Sequence, residues 1–470
     1  MRPCLFVFVL GSLAVPVHGL TLLEAKEEAR SQSPAVEAYR KAEEASRAAR
    51  NAVKGTWLPK AELRHVYTRL DDDTVERSNA LLPFLAGFDP GPMPGPVLDL
   101  DEFRVFGESH RTEVAVEWAL WAGGARLGAG RAAGSAHAIA AADVDAAVRN
   151  IDTEVGTIFL GAWAAVEIEA VASAAVERAE RYLAQASRKK DLGSATELDV
   201  LRWEVELESA RASLANALAE REATRFSLGA LLGRALGPEE SLEVPDPRRD
   251  IPGSSVVDDW AGDDAAFDAW CRMARARILQ DHPAMVAARA ATQGASAGVT
   301  LATAPLLPSL AVVGTWGHQA NATYGLDGYE EWNASMVLSL PLLPFVEGYQ
   351  GRREAQALEA ASFHRRDDLR SRLLAGFDGL ARRTRASAVS LLHQERAWAL
   401  TQRRSEAVDR AVSAGHATDL DLADSEVMRR SQAVVRVQAR LEHWVHVLEL
   451  GAWVGPAAWD GNSLQVGAQR

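Results

Sequence analysis

A 470-residue chain with formal charge -13, no basic patch and only two cysteines is a poor nucleic-acid partner and cannot be a disulfide scaffold. Arg2, the apolar run Cys4 to Val15 and Val17-His18-Gly19 have the form of an export leader over residues 1–19, whose removal takes the charge to -14 and leaves Cys271 as the remaining cysteine. Cys4 lies too early to be a lipid-anchored cysteine, and after the leader no stretch reaches the length of about eighteen apolar residues that a spanning helix needs, so any membrane crossing falls to strands.

In chain order, residues 20–233 read as a first repeat. Ser33-Pro34 opens a helix, because proline suits the first turn where its missing N–H costs nothing, and Pro59 closes it. Ala61–Leu70 and Thr112–Leu120 follow as a strand pair. In the second of them Val114, Val116, Trp118 and Leu120 face one way, and Glu113, Ala115, Glu117 and Ala119 the other. The intervening Asp71–Gly107 is a polar loop rich in proline and glycine. From Gly124 to Lys190 the chain is alanine- and arginine-rich without proline, as a helix of about 65 residues, or about 100 Å, requires. Gly193 turns it back into a second long helix.

Residues 234–266, with Pro238, Pro245, Pro247 and Pro252, read as an irregular connector. Residues 267–455 then repeat the plan. His282-Pro283 and Pro308 match Ser33-Pro34 and Pro59 at an offset of 249. GHATDLDLA matches GSATELDVL, and LGAWVG matches LGALLG, both at an offset of 222. Ser309–His318 pairs with a strand in which Trp332, Ala334, Met336, Leu338 and Leu340 oppose Asn333, Ser335, Val337 and Ser339. A long helix covers Gly348–Ala414, and the last helix carries a coiled-coil stripe of Leu420, Val427, Val434, Leu441 and Leu448. Residues 456–470 form a tail.

Four amphipathic strands cannot cross a bilayer alone, because the outer two would leave backbone groups unpaired in hydrocarbon at several kcal/mol each. The smallest bacterial barrels close with about eight strands, so more than one copy must contribute. The mature start LTLLEA, the SPAVEA and HPAMVA helix starts, the WLP and LLP steps before strands and the two GxxTxxD turns resemble the TolC-like outer membrane efflux protein family over nearly the whole mature chain.

The resemblance implies an α+β membrane protein: a homotrimer whose twelve-stranded β-barrel takes four strands per chain and continues as a long α-helical coiled-coil barrel through the periplasm. It also implies a place in the outer membrane, in contact with its lipid, and service as the exit duct of a tripartite efflux pump or type I secretion system. A periplasmic adaptor (membrane fusion) protein and an inner-membrane pump would be the partners, with no cofactor. The family's G-x-x-T-x-x-D-x-x-D pattern falls on Gly415, Thr418, Asp421 and Asp424, and on Gly193, Thr196 and Asp199 with Arg202 in the last place. By that resemblance Asp421, Asp424 and Asp199 form a pore gate, and Gly193, Thr196, Gly415 and Thr418 form tip turns that dock the adaptor. Six carboxylates from three second-copy turns would favour cations and raise one another's pKa. Without the resemblance, the same aspartates read as helix caps.

Other polar groups take plain readings. Asp71-Asp72-Asp73 suits a solvated turn, and His443 and His446 share a helix face without a third ligand, so no metal site is assigned. Gly128, Gly130 and Gly134 lack the spacing of a phosphate loop and open the long helix. Trp118, Trp121 and Trp332 suit a lipid interface. No Ser/His/Asp or Cys/His spacing is interpretable, Cys271 lies in an arginine-rich helical stretch, and an enzyme is not expected. A soluble periplasmic coiled-coil adaptor or scaffold would explain the leader and long helices but not the apolar row of Trp332, Met336, Leu338 and Leu340.

Overall fold

The computed structural model describes residues 19–86, 105–237, 240–260, 262–320, 328–342, 346–455 and 459. Nearly all of the leader, the middle of the 71–107 segment and most of the tail lie outside the described residues. The chain divides into two compact units. One comprises residues 1–43, 138–289 and 365–470, and the other residues 44–137 and 290–364.

The second unit holds the sheet. Strands β1 (Lys60–Arg69), β2 (Glu108–Ala122), β3 (Ser309–Ala320) and β4 (Gly328–Ser339) pair antiparallel in the order β1-β2-β3-β4. Register sorts their side chains into two faces. The rows Leu63-Val114-Trp316-Trp332 and Ala61-Val116-Gly314-Ala334 lie on one face, with Trp118-Val312-Met336 and Trp121-Leu310-Leu338 below them. At about 6.8 Å per pair of residues these four rows cover about 20 Å. Met336 is 69% and Leu338 71% exposed, so this apolar face is uncovered within the chain. The opposite face is polar: Arg64 lies 3.7 Å and Arg111 3.1 Å from Glu113, and Arg111 also pairs with Glu331.

One correction concerns β2. Strict alternation would put Leu120 with Trp118, but the register shifts between Ala119 and Trp121. A bulge there returns Trp121 to the apolar face instead. A second correction concerns the 71–107 segment, whose described part is not simple loop. It contains α3 (Asp72–Asn79) and α4 (Leu82–Ala86). Asp71 caps α3, accepting from the Thr74 N–H at 2.9 Å and hydroxyl at 2.6 Å, and these bonds hold its carboxyl below the usual aspartate range.

The first unit is helical. It contains α1 (Leu22–Gln32), most of α5 (Ala125–Asp191), α6 (Glu197–Leu232), α9 (Asp264–Asp281), most of α11 (Glu347–Ser413) and α12 (Asp419–Val454). The start of α2 (Pro34–Gly55) and of α10 (Pro283–Thr303) also belongs to it, and both helices begin at the prolines that the sequence marks. The 234–266 segment contains α7 (Pro247–Asp250) and α8 (Ser254–Asp259). Its core gathers Val155, Phe159, Leu160 and Trp163 of α5 with Trp260, Trp270, Phe377, Trp444 and Val447. Trp270 lies 4.6 Å from Trp260 and 5.9 Å from Phe377 between ring centres. Arg30 clamps α1 to α5 by a two-pronged pair with Asp152 at 2.5 and 2.6 Å.

Helix α5 is more apolar than the sequence reading allows. It contains an eighteen-residue window of mean hydropathy 1.5, half of it buried within the protein. The explanation is local, because the residues of α5 named above are core residues. His443 is also buried, its Nδ1 3.1 Å from the Ser387 hydroxyl, which makes it a packed histidine. Among the described residues no group of three or more His, Cys, Asp or Glu is placed to hold a metal ion.

Phe377→Ala should cost about 3–5 kcal/mol, because it opens a cavity beneath Trp270 that the surrounding rings cannot fill. Thermal unfolding of the purified protein checks this, and an unchanged transition would contradict the packing.

Candidate gate at the helical turns

The two repeats build their turns alike. α5 ends at Asp191 and α6 begins at Glu197, while α11 ends at Ser413 and α12 begins at Asp419. Gly193 and Gly415 adopt φ of +72° and +74°, a left-handed conformation that glycine accepts without a Cβ clash. In each turn the following N–H reaches back to close the helix end, Ser194 to the Lys189 carbonyl and His416 to the Ala411 carbonyl, both at 2.8 Å.

Thr196 and Thr418 are the N-caps of α6 and α12, and each forms a capping box with the aspartate three residues on. The Asp421 carboxylate accepts from the Thr418 N–H at 2.8 Å and from its hydroxyl at 2.6 Å. Asp199 does the same with Thr196 at 2.9 and 2.7 Å. These bonds, the hydroxyl bond first, hold both carboxyls below the ordinary aspartate range. The cap reading of the two aspartates is therefore met in the geometry, and any role in a pore is added to it.

The second carboxylate distinguishes the turns. Asp424 is exposed one turn along α12 from Asp421, itself exposed. In the first repeat the corresponding position is Arg202, whose guanidinium lies 3.8 Å from Asp199. One turn is thus doubly acidic and the other internally compensated.

Contacts between the two helical hairpins are the feature that sequence reasoning missed. Ala186, Trp203, Leu422 and Ala423 make a small buried cluster beside the turns. Around it, Lys189 pairs with Asp419 at 2.8 Å, Arg178 with Glu426 at 3.0 Å and Arg430 with Glu206 at 2.9 Å. The Tyr182 hydroxyl donates to Asp409 at 3.3 Å, and burial pushes the phenol up to about 12. These partners all lie more than 220 residues apart in the chain, beyond what a local motif could flag. Only the shared heptad spacing of the hairpins hints that they meet.

The sequence model of the outer membrane efflux protein family matches residues 26–234. Protein CyaE of Bordetella pertussis is 29% identical over 248 residues, which is 53% of this chain and 49% of that protein, so the match spans about half the length of the relative. Among solved structures, the outer membrane protein VceC of Vibrio cholerae shares the fold with a TM-score of 0.69 at 16% identity, covering 92% of this chain and 96% of that one. The Campylobacter jejuni CmeC outer membrane channel gives 0.69 at 15% identity, over 93% of this chain and 85% of its own. The open-state MtrE outer membrane channel of Neisseria gonorrhoeae gives 0.67 at 17%, over 93% and 89%. The outer membrane efflux protein model thus matches most of the first repeat, and the fold of these outer membrane channels runs over more than nine-tenths of the chain.

Proposed function

We propose that this chain is one subunit of a homotrimeric exit duct in the outer membrane, reaching into the periplasm and serving a tripartite efflux pump or a type I secretion system. The observation that supports it most is the sheet: four strands with one apolar, uncovered face and, among the described residues, no partner strand for β1 or β4. Hydrocarbon would suit that face, and three such sheets joined edge to edge would satisfy the edges as a twelve-stranded barrel. The repeats, residues 20–233 and 267–455, each supply two strands and one helical hairpin, with 234–266 as an equatorial connector. Transport through such a duct is passive, and no catalytic step falls to any residue. A periplasmic adaptor would dock at the turns built on Gly193, Thr196, Gly415 and Thr418, and an inner-membrane pump would supply the energy.

In the trimer, Asp421 and Asp424 would line the constriction, with Asp199 held beside Arg202 at a mixed ring. Six clustered carboxylates favour cations over anions. Removing them with Asp421→Asn and Asp424→Asn should abolish cation preference and block by trivalent cations in single-channel recordings. An unaltered reversal potential would remove these residues from the gate.

The caps set a pH dependence with a definite sign. Thr418 lowers the Asp421 pKa, so the capped carboxylate is stable above the ordinary aspartate value of about 3.9 and loses that stabilisation as pH falls through the lower, folded value. Thr418→Ala should bring the Asp421 pKa back up, and loss of cation preference on acidification should then begin at higher pH than in the parent. Titration of the reversal potential reads this directly. A midpoint that stays put or moves down would show that the cap does not tune the gate.

A further inference from the structure

Basic residues without acidic neighbours flank the junction between helix and sheet in the first repeat. Residues 45–61 carry Arg47, Arg50, Lys54 and Lys60 with no Asp or Glu, and residues 123–142 carry Arg126 and Arg131 with none. In a chain of net charge -13 both stretches run against the average. The matching stretch of the second repeat, residues 294–310 at the offset of 249, has no charged residue. The concentration of cations therefore belongs to one junction per chain.

Geometry decides which of these cations share a surface. Arg50 and Lys54 are four apart on α2, hence on one side of it, and both are exposed. The Trp57 N–H donates to the Lys54 carbonyl at 3.2 Å, which places Trp57 at the end of that helix. The Trp57 carbonyl accepts from the Trp118 indole N–H at 3.0 Å, and the Arg126 guanidinium lies over the Trp57 ring, 5.4 Å from its centre. Trp118 and Trp121 belong to the apolar face of the sheet, so these contacts bring Trp57 and Arg126 to that side. Lys60 alternates to the polar face and takes no part. Trp57, Trp118 and Trp121 are 46%, 41% and 45% exposed, and among the described residues Arg50, Lys54 and Arg126 have no ion-pair partner.

We infer that this junction is a binding site for the headgroup of an anionic phospholipid, one in each chain. The inference rests on the outer-membrane reading and adds the lipid class to it. β1 follows α2, β2 precedes α5, β3 follows α10 and β4 precedes α11, so all four helices join the sheet at its Trp118 end. With the helices in the periplasm, that end meets the headgroups of the periplasmic leaflet. Acyl chains cover the rows Trp118-Val312-Met336 and Trp121-Leu310-Leu338, and the indoles lie at the boundary between hydrocarbon and water. Arg50, Lys54 and Arg126 then meet the lipid phosphate, to which a guanidinium offers paired N–H donors. A zwitterionic headgroup carries its own ammonium and offsets its phosphate internally. An anionic headgroup leaves that compensation to the protein, so the unpaired cations of the junction select it.

The test is native mass spectrometry of the detergent-extracted particle, stripped of lipid and titrated with equal amounts of phosphatidylglycerol and phosphatidylethanolamine of the same acyl chains. Phosphatidylglycerol adducts should outnumber phosphatidylethanolamine adducts by about fivefold or more, the effect of even one cation at an anionic headgroup, and should saturate at one lipid per chain. Arg50→Gln, Lys54→Gln and Arg126→Gln together should remove the preference, whereas Arg50→Lys with Arg126→Lys should keep it. Removing the same charge elsewhere, with Arg382→Gln, Arg396→Gln and Arg403→Gln on α11, should leave the preference as in the parent. A parent particle that stays trimeric and takes up both lipids alike, or a triple variant of the junction that still prefers phosphatidylglycerol, would overturn the site and leave the duct standing. A chain that needs no detergent to stay in solution would instead overturn the reading on which the site rests.

Discussion

The constraint on which the rest depends is that hydrocarbon offers no hydrogen bonds to an unpaired strand edge. Sheet β1-β2-β3-β4 presents one face of Val, Leu, Met and Trp suited to lipid, and two edges that lipid cannot satisfy. The same strand order thus invites a membrane and forbids the single chain from entering it. On the proposed reading, subunit association is a condition of folding rather than a later refinement.

Much of this was legible in sequence because period two and proline punctuation are local signals. The four strands lie where alternation placed them, and α5 and α11 run within a residue of the proline-free stretches that announced them. The turns were equally readable, since Gly193, Thr196 and Asp199, with their second-copy equivalents, make a capping box out of adjacent residues. Where local pattern gave the wrong answer, a physical cause can be named. Alternation cannot foresee the bulge that brings Trp121 to the apolar face, because one extra residue inverts the parity of everything after it. The proline count of the 71–107 segment hid α3, which begins at an Asp71 cap rather than at any hydrophobic period.

What sequence could not supply is the pairing of the two hairpins. Tyr182 with Asp409 and Arg178 with Glu426 are ordinary residues until the duplication folds them together. These contacts ring a small apolar cluster, and the side chains of Arg178 and Glu426 are only 19% and 11% exposed.

The most direct measurement is the mass of the particle extracted in detergent from the outer-membrane fraction, by light scattering corrected for bound detergent. Three chains per particle is the result this account predicts, since three four-stranded sheets close the barrel. A single chain recovered in the soluble periplasm would contradict it, and would leave the apolar face of the sheet without lipid to cover it.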